Sequence, residues 1–466
     1  MNRIFKILLI FIFVTNCSFN SKSNFWSSEK IKVEKLKKEN EGILVEECKT
    51  KFLIKKCKKV RKKNVKKEFK KEVALTTEFN SNIKISLYSK PIDKSFVNNF
   101  DNNNGRTNYN GNLKKISRFK FSKIKNFFNY DPEILFDKKN IIFFDNKGSI
   151  FKFDKNSKLI WKKNYYTKSE KKQNPVLMFS KKNQVLIVAD NLSKYYAIDI
   201  NDGKLLWSKK NLAPFNSQIK VHKDKFFIVD YENTLKAYSI SDGQEIWNIK
   251  TETSLTRSQK KLSMVIIDNK IYFNNSLGDI SAADINRGQL IWQRPTQSNT
   301  VSQDSYSLKS SELIADNRNI YLSNNKNQFF SVELDTGSVN WVQKINSSLK
   351  PTIVDDYIFT VSTEGFLIIV DKNSGNIIRS TDLFKKFNKK YLWEDKKIRD
   401  EINPSGFIVG IKNIYLTTSK GQLFLIDITT GQTLNILKID KEKISRSFVQ
   451  NQNLYIIKDN SVLKLN

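Results

Sequence analysis

Hydrophobic and polar positions alternate along most of this chain in short runs that recur at a regular spacing. Apolar runs begin at residues 141, 185, 226, 271, 320, 358 and 414, and each is followed by an alternating run that ends in a tight turn. A period of two is typical of half-buried strands. An eighth apolar run, Leu454–Asn466, ends the chain before a matching turn and strand. The pattern predicts an all-β protein made of similar units.

A single phrase, Ala-x-Asp-x-x-Thr/Asp-Gly-x-x-x-Trp, marks each unit, and it is most complete at Ala197–Trp207. The other copies are Ala237–Trp247, Ala282–Trp292, Ser331–Trp341, the shorter Lys152–Trp161, and the degenerate Ile369–Arg379 and Leu425–Asn435. Their spacing of roughly forty to fifty-five residues is the period of a propeller blade. The repeat therefore predicts a β-propeller.

Each phrase predicts a strand, a tight turn and a second strand. The glycine suits a turn position with positive φ, and the preceding Asp can hydrogen-bond the turn backbone. Five of the seven tryptophans fall on the strand after the turn, where a large ring can fill the wedge between neighbouring blades. We therefore interpret the repeated aspartates as braces of turns and not as catalytic groups; they are Asp199, Asp284, Asp371 and Asp427.

Seven complete units and a truncated eighth predict eight four-stranded blades over residues 73–466. The missing outer strand of the last blade would come from the N-terminal side, from either Ile83–Tyr88 or Ser117–Ile124. Such closure removes free sheet edges. An insertion at residues 382–407 lengthens the connection into the seventh unit, and Trp393 is expected to pin it to the ring.

The first sixteen residues have a basic start and a short apolar stretch, which is the pattern of a secretory signal peptide. Cys17 follows, where a bacterial lipoprotein would be cleaved and acylated, although Asn16 departs from the small residue expected there. The alternative is an ordinary secretory peptide with an incidental cysteine. Cys48 and Cys57 then form an even pair, which an oxidising compartment would join in a disulfide or which would remain as free thiols.

Residues 17–72 are rich in Lys and Glu and lack the blade pattern, so we interpret them as a basic tether. The chain has a formal net charge of +34. This charge could attract the tether to anionic lipid or cell-wall polymer, or it could reflect only a Lys-rich composition. Nucleic acid is not an expected partner behind a secretory signal.

The blade phrase resembles the repeat of quinoprotein-type (PQQ-like) propellers. That superfamily includes PQQ-dependent dehydrogenases and BamB, a lipoprotein of the machinery that inserts β-barrels into the outer membrane. The signal, the blade number and the size resemble BamB. The resemblance covers Val73–Asn466 and implies a scaffold that binds the barrel subunit BamA and unfolded β-barrel precursors.

A connecting loop, Ser254–Ser263, resembles the loop by which BamB proteins contact the periplasmic domains of BamA. The resemblance implies that Leu255 and Arg257 make this contact. Ser258 stands where the family has Gly, and the family's Pro is absent. An exposed Arg beside an apolar residue suits an interface anchor, whereas the alternative is an ordinary surface Arg.

The dehydrogenases of the superfamily imply a carboxylate base near the quinone, a bound calcium and often a disulfide between adjacent cysteines. This chain has no adjacent cysteine pair, and its one histidine, His222, is expected to flank a strand. We therefore expect no enzyme activity, catalytic residue, metal or cofactor.

Together these features predict a lipid-anchored scaffold at the periplasmic face of the outer membrane, one copy within a larger complex. The alternatives are a dehydrogenase-type propeller and a membrane-tethered propeller that binds cell wall or glycan.

Overall fold

The computed structural model describes residues 43–51, 54–62, 75–92, 100–103, 105–124, 131–253, 258–297, 308–387 and 398–466. The chain divides into two units, Met1–Glu72 and Val73–Asn466. The predicted boundaries of the signal peptide and tether stay predictions.

A two-stranded antiparallel hairpin lies in the first unit. It pairs β1 (Ile43–Lys51) with β2 (Ile54–Lys62). The register places Cys48 directly opposite Cys57. The Lys-rich sequence of this hairpin does not predict strands, because it lacks the apolar alternation of a half-buried strand.

The second unit contains eight antiparallel sheets of four strands, which confirms the predicted eight-bladed propeller. The chain first forms β3 (Lys115–Lys120) and then runs through the blades in order. Blades 1 and 2 contain β4 (Leu135–Asp137), β5 (Asn140–Phe144), β6 (Ile150–Phe153), β7 (Leu159–Lys163), β8 (Leu177–Lys182), β9 (Val185–Asp190), β10 (Lys194–Asp199) and β11 (Leu205–Lys210). Blades 3 and 4 contain β12 (Lys220–His222), β13 (Lys225–Val229), β14 (Thr234–Ser239), β15 (Glu245–Lys250), β16 (Met264–Ile267), β17 (Lys270–Asn274), β18 (Ile280–Asp284) and β19 (Leu290–Arg294).

The remaining blades follow the same order. Blades 5 and 6 contain β20 (Ile314–Ala315), β21 (Asn319–Asn324), β22 (Gln328–Glu333), β23 (Val339–Gln343), β24 (Thr352–Val354), β25 (Tyr357–Val361), β26 (Phe366–Asp371) and β27 (Ile377–Asp382). Blades 7 and 8 contain β28 (Pro404–Val409), β29 (Asn413–Thr418), β30 (Gln422–Asp427), β31 (Thr433–Lys438), β32 (Ser447–Gln450), β33 (Asn453–Lys458) and β34 (Ser461–Leu465). A short helix α1 (Lys168–Lys172) and two 3-10 turns (Lys385–Phe387 and Ile398–Glu401) lie in connections.

The ring is closed by a strand from the N-terminal side, as predicted. β3 pairs with β34 from Lys115 opposite Leu465 to Lys120 opposite Ser461, and so becomes the outer strand of blade 8. Of the two candidate segments, Ser117–Ile124 contains most of this strand, and Ile83–Tyr88 does not form it. The latter instead contacts blades 6 and 7, where the Ile85 amide donates to Thr429 O (3.0 Å).

Most blades have a buried centre and an exposed outer strand, whereas the outer strand of blade 6, β27, is partly or fully buried along its length. In blade 2, for example, β9 and β10 are largely buried and β11 is mostly exposed. The inner strands of all blades begin at one face of the ring and end at the other. We call these the entry face and the exit face. Connections between blades lie on the entry face, and the Gly turns of the repeated phrase lie on the exit face.

The repeated tryptophans occupy the wedges between blades, as predicted. Each lies against the turn glycine of the next blade, so that a Cβ added to that glycine would meet the ring; the pairs are Trp161–Gly203, Trp207–Gly243, Trp247–Gly288, Trp292–Gly337 and Trp341–Gly375. Four of these indoles donate a hydrogen bond to a backbone carbonyl of the next blade, at 2.9–3.2 Å. The repeat is therefore a rule of blade-to-blade packing.

The repeated aspartates brace turns, also as predicted. Asp199 accepts from the Asn201 amide at 2.7 Å, and Asp427 accepts from the Thr430 amide at 2.7 Å. Asp284 and Asp371 make the same bonds in their own turns.

Candidate functional site

The entry face has a wide funnel around the propeller axis, with a volume of about 1050 Å³. Its wall comes from two kinds of segment: the connections that lead into inner strands, and the turns between the second and third strands of blades. Residues from the second kind include Asn191, Tyr231, Asn325, Thr363 and Ser419. In these turns a side chain accepts hydrogen bonds from backbone amides. Asp190, for example, accepts from the amides of Leu192 and Lys194, both at 2.8 Å. The funnel is therefore a rigid concave surface.

An ion-pair cluster at the axis lies beneath this funnel. Arg446, just before the inner strand of blade 8, bonds Glu133 of blade 1 at 2.6 Å and Glu312 of blade 5 at 2.5 Å. Lys261 of blade 4 also pairs with Glu133, at 2.9 Å. Gln218 of blade 3 donates to Glu312 at 2.9 Å. The cluster thus joins side chains from five blades across the axis.

Burial and charge shift the pKa values of this cluster in opposite directions. Burial raises the pKa of Glu312, but Arg446 and neighbouring lysines outweigh it and lower the pKa to about 2. Burial lowers the pKa of Lys350, whose ammonium lies 3.9 Å from Glu312, to about 8. Burial also lowers the pKa of Lys220 to about 7. The carboxylate therefore stays ionised, and the two lysines are costly to keep charged.

On the exit face, an N-terminal segment crosses the axis. Residues 100–103 and 105–107, which we call the strap, bond the inner strands of blades 4 to 7 in turn. Phe100 O accepts from Ile266 N (2.8 Å) and Asp101 O from Ala315 N (2.9 Å). Asn103 Oδ1 then accepts from Ile353 N (3.2 Å), and Thr107 N donates to Val409 O (2.7 Å).

The centre of the strap is a buried asparagine. Asn102 Nδ2 donates to Met264 O (3.0 Å), Leu313 O (2.9 Å) and Gln218 Oε1 (3.1 Å). Its Oδ1 accepts from Lys220 Nζ. A small cavity of about 40 Å³ lies between the strap, at Gly105 and Thr107, and the ion-pair cluster, at Glu312 and Arg446. The larger concave surface opens on the entry face.

The predicted contact residues Leu255 and Arg257 lie outside the described residues, but both flanks of their loop are described. On one side, Thr251 Oγ1 donates to Asn233 O at 3.0 Å. On the other, Ser258 Oγ donates to Leu308 O at 2.5 Å, and Lys260, which lines the funnel, pairs with Asp131. The two described flanks of this loop therefore both lie on the entry face.

The other predicted residues are placed as follows. Cys17 and Trp393 lie outside the described residues. Cys48 and Cys57 are backbone partners in the hairpin, and their disulfide stays a prediction. The described ends of the 382–407 insertion are held by two other residues. Phe384 packs on Phe424, and Arg399 pairs with Asp382 at 3.0 Å.

His222 ends β12, which agrees with the prediction that it flanks a strand. Its ring lies 5.5 Å from that of Phe100 in the strap. Burial and nearby lysines lower its pKa, so it is neutral at pH 7. Among the residues that the structure describes, no three His, Cys, Asp or Glu side chains are grouped as a metal site. No helix in that part of the chain is long and apolar enough to cross a membrane.

The axial cluster was missed by the sequence analysis. Its members share one signal, a charged or amide residue within three positions before an inner strand; they are Glu133, Gln218, Lys261, Glu312, Lys350 and Arg446. An alignment of the repeats by their inner strands brings these residues together, whereas an alignment by the Gly–Trp phrase does not.

The comparison with known families decides between the branches of the superfamily. The family model described as "Outer membrane protein assembly factor BamB" matches residues 146–381, about half of the chain. The chain belongs to the BamB family. The match covers the blades that carry the complete phrases, from the end of blade 1 to blade 6.

Individual BamB relatives are distant in sequence. The outer membrane protein assembly factor BamB of Shewanella oneidensis is 20% identical over 267 residues, which cover 56% of this chain and 63% of that protein. The BamB of Legionella pneumophila is 24% identical over 207 residues, covering 42% of this chain and 47% of that protein. The chain thus spans about half to three fifths of the curated relatives it matches.

Solved structures show the same fold in two kinds of protein. BamB from Moraxella catarrhalis has a TM-score of 0.60 at 16% identity and covers 76% of this chain and 99% of its own. The quinohemoprotein alcohol dehydrogenase of Comamonas testosteroni has a TM-score of 0.58 at 10% identity, covering 78% of this chain and 79% of its own. The fold is therefore shared by BamB and by dehydrogenases.

Proposed function

We propose that this protein is a non-catalytic scaffold of the outer-membrane β-barrel assembly machinery, which binds the periplasmic domains of a BamA-type subunit. The observation that carries the proposal is its membership of the BamB family, whose model matches residues 146–381 and so includes part of the funnel wall. In this proposal Leu255 and Arg257 contact the partner, and unfolded β-barrel precursors are the clients.

The geometry of the entry face supports this role. A partner domain needs a rigid platform, and the funnel wall consists of braced turns on closed sheets. Both flanks of the proposed contact loop are bonded to that wall. Arginine is among the residue types that most often dominate the binding energy of an interface, which supports Arg257 as the anchor in this proposal.

The charges at the axis support a scaffold better than a dehydrogenase. A general base works best with a pKa near the pH of the reaction. Glu312 has a pKa of about 2 and is bonded to Arg446 and Gln218, so it is a poor base. Glu133 is likewise paired, with Arg446 and Lys261. These carboxylates hold blades together.

The basic and apolar N-terminal sequence supports a membrane anchor in this proposal. Acylation of Cys17 would anchor one copy at the periplasmic face of the outer membrane, within the assembly complex. The test of the anchor is the variant Cys17→Ala, which should leave the membrane fraction and appear in the soluble periplasm. Membrane retention of Cys17→Ala when it is combined with Arg257→Ala, which removes the proposed partner contact, would show that Cys17 is not the anchor.

The function itself is tested by deleting the gene and restoring it on a plasmid. Deletion should lower the amount of several folded β-barrel proteins in the outer membrane, and the wild-type gene should restore it. Unchanged barrel levels, together with loss of a dye-linked alcohol oxidation, would overturn the scaffold role in favour of the dehydrogenase type.

A further inference from the structure

The small cavity between the strap and the ion-pair cluster has a positively charged wall. Three cations and two acids line it, an excess of one positive charge; they are Lys260, Lys350, Arg446, Asp131 and Glu312. Beside the cavity, Glu133 and Lys261 pair with each other and add no net charge. The opposite charges of Asp101 and Lys220 both act on groups of the wall and also cancel. Lys443, which acts on Asp131, adds further positive charge.

Lys350 is the cation of this wall whose charge is least compensated. Arg446 bonds two carboxylates, and Lys260 pairs with Asp131. The ion-pair partner of Lys350 among the described residues is Glu312, at 3.9 Å, which is longer than a hydrogen bond. Burial lowers the pKa of Lys350 to about 8, so its charged form is costly. An anion within hydrogen-bond distance of the ammonium would offset this cost.

Two hydroxyl groups on the same wall have no hydrogen-bond partner among the residues that the structure describes. They belong to Ser405 and to Ser447, which is only 2% exposed. A buried hydroxyl without a partner costs free energy, and a hydroxyl can donate its hydrogen to an anion. The wall therefore offers two further donors beside the ammonium of Lys350.

A comparison of blades shows that packing alone does not explain Ser447. In three blades a serine before the inner strand accepts a backbone amide of the second strand; the pairs are Ser217–Val229, Ser311–Ser323 and Ser445–Ile457. Two positions after this serine, blade 3 has Ile219 and blade 5 has Leu313, and both are buried. Blade 8 has Ser447 at that position. A hydroxyl group thus lies where the other two blades pack an apolar side chain.

The size of the cavity selects a small ligand. A volume of about 40 Å³ holds roughly two or three water-sized groups, since one such group needs about 10–15 Å³. This space suits a monatomic anion and is too small for an organic acid of several carbon atoms. The cavity adjoins the funnel, because both are lined by Asp131, Lys260, Ser348, Leu349 and Ser405. An anion can therefore reach it from the entry face.

We propose that the cavity bounded by Lys350, Ser405 and Ser447 binds a chloride ion. The ammonium and the two hydroxyls donate to the ion, which compensates the excess positive charge at the axis. The three residues belong to blades 6, 7 and 8, so the bound ion stabilises the closed ring. This inference goes beyond the proposed scaffold function and does not depend on it.

The first test measures the NMR linewidth of chloride in a titration of the purified protein, at constant ionic strength kept with sodium gluconate. Chloride that exchanges with a protein site broadens the signal, and a specific site saturates. The site variants are Lys350→Met and Ser447→Ala. The matched control is Lys344→Met, which removes the same charge from an exposed lysine of the connection into blade 6.

Wild type and Lys344→Met should show the same saturable broadening, and Lys350→Met should lose it. Ser447→Ala should weaken chloride binding about tenfold, since a hydrogen bond to a charged group contributes about 1.5 kcal/mol. Chloride should also raise the thermal midpoint of wild type above its value in gluconate, because a ligand of the folded state stabilises it. Equal broadening in all four proteins, or broadening that does not saturate in wild type, overturns the proposal.

A second arm needs only the wild-type protein and so covers the case in which a variant does not fold. Bromide replaces chloride at halide sites, and its anomalous scattering locates it in a crystal. Crystals grown in sodium bromide should show a bromide ion in contact with Lys350 Nζ and Ser447 Oγ. Water alone at this position overturns the proposal. Neither arm involves the BamA-type partner, so the outcome is independent of the proposed function.

Discussion

The indole of Trp207 lies on Gly243 of the next blade. A Cβ added to Gly243 would stand 2.6 Å from Trp207 Cζ3, and the Trp207 N–H donates to Ile240 O at 2.9 Å. Gly243 also has a φ of +69°. The glycine of the repeat is therefore required twice, by its backbone conformation and by the ring of the preceding blade.

Replacing Gly243 with Ala should destabilise the propeller by about 2–4 kcal/mol. Roughly 1–2 kcal/mol comes from the left-handed backbone, and the rest comes from displacement of the ring. In a Trp207→Ala background the second contribution should vanish, so the same glycine change should cost only about 1–2 kcal/mol. Urea unfolding of wild type, Gly243→Ala, Trp207→Ala and the double variant gives the free energies of unfolding for this cycle. An equal cost of Gly243→Ala in both backgrounds would show that the ring does not require the glycine.

Arg379 takes the place of Trp in the wedge between blades 6 and 7. Its guanidinium donates to Ile83 O (2.9 Å), Ile428 O (3.2 Å) and Thr429 O. Arg379→Ala should therefore release the segment around Ile83 and destabilise the protein by about 3 kcal/mol. Arg379→Trp is the matched variant, because it restores the repeat but not the bond to Ile83.

Hydrogen exchange followed by mass spectrometry separates these effects. Peptides that contain Phe79 and Ile85 should exchange faster in both variants than in wild type. Peptides from β30 should exchange faster only in Arg379→Ala. Unchanged exchange around Ile83 in both variants would mean that Arg379 does not hold this segment.

The axial lysines predict how stability depends on pH. Lys350 has a folded pKa of about 8 against an ordinary value of 10.5. Between these values the unfolded chain binds more protons than the folded protein, so stability rises as the pH rises from about 8 to 10.5. The low pKa of Glu312 affects stability at acid pH. The stabilisation that its ionised carboxylate contributes is lost as the pH falls from about 4.5 toward 2.

The variant Lys350→Met should reduce the alkaline rise in stability, and it should also reduce the acid loss, because Lys350 is one of the cations that lower the pKa of Glu312. Urea midpoints at pH 7, 8.5 and 10 measure the slope. Lys344→Met, at an exposed lysine in the connection that leads from blade 5 to blade 6, is the control and should leave the slope as in wild type. If the slope of stability against pH is unchanged in Lys350→Met, burial does not lower the pKa of this lysine.

Cys48 and Cys57 should form a disulfide in the secreted protein. Directly opposite residues of antiparallel strands have Cα atoms about 4.5–5.5 Å apart, within the range that a disulfide spans. Protein secreted by the native host and alkylated without reduction should show no label on either cysteine. Label on both, before any reducing agent is added, would establish free thiols.

The fold could be predicted from the repeat because the residues that pack one blade against the next recur at the same positions of each copy. The Gly–Trp pairs and the turn aspartates could be found from one chain, since each contact joins neighbouring copies of the phrase. Closure by Ser117–Ile124 was one of two expected choices. It could not be decided from pattern alone, because Ile83–Tyr88 alternates equally well but lies against the wedge that Arg379 occupies.

The axial groups were harder to predict because their partners lie far apart in sequence. Arg446 meets Glu133 and Glu312 only after the ring closes. Asn102 lies in a segment without alternation, and its contacts with Met264 and Leu313 depend on the path of the strap. The entry-face loop was identified by resemblance and not by pattern, so its role depends on direct measurement.

That measurement is the recovery of partners with tagged protein from native membranes in mild detergent, comparing wild type, Arg257→Ala and Arg287→Ala. Arg287 is an exposed arginine in a Gly turn of the exit face, so it is the matched control. The proposed function predicts that wild type and Arg287→Ala recover a BamA-type barrel subunit and that Arg257→Ala recovers much less. Equal recovery by all three would contradict the contact at Arg257, and recovery of a redox partner or cell-wall fragments in place of the barrel subunit would contradict the scaffold role.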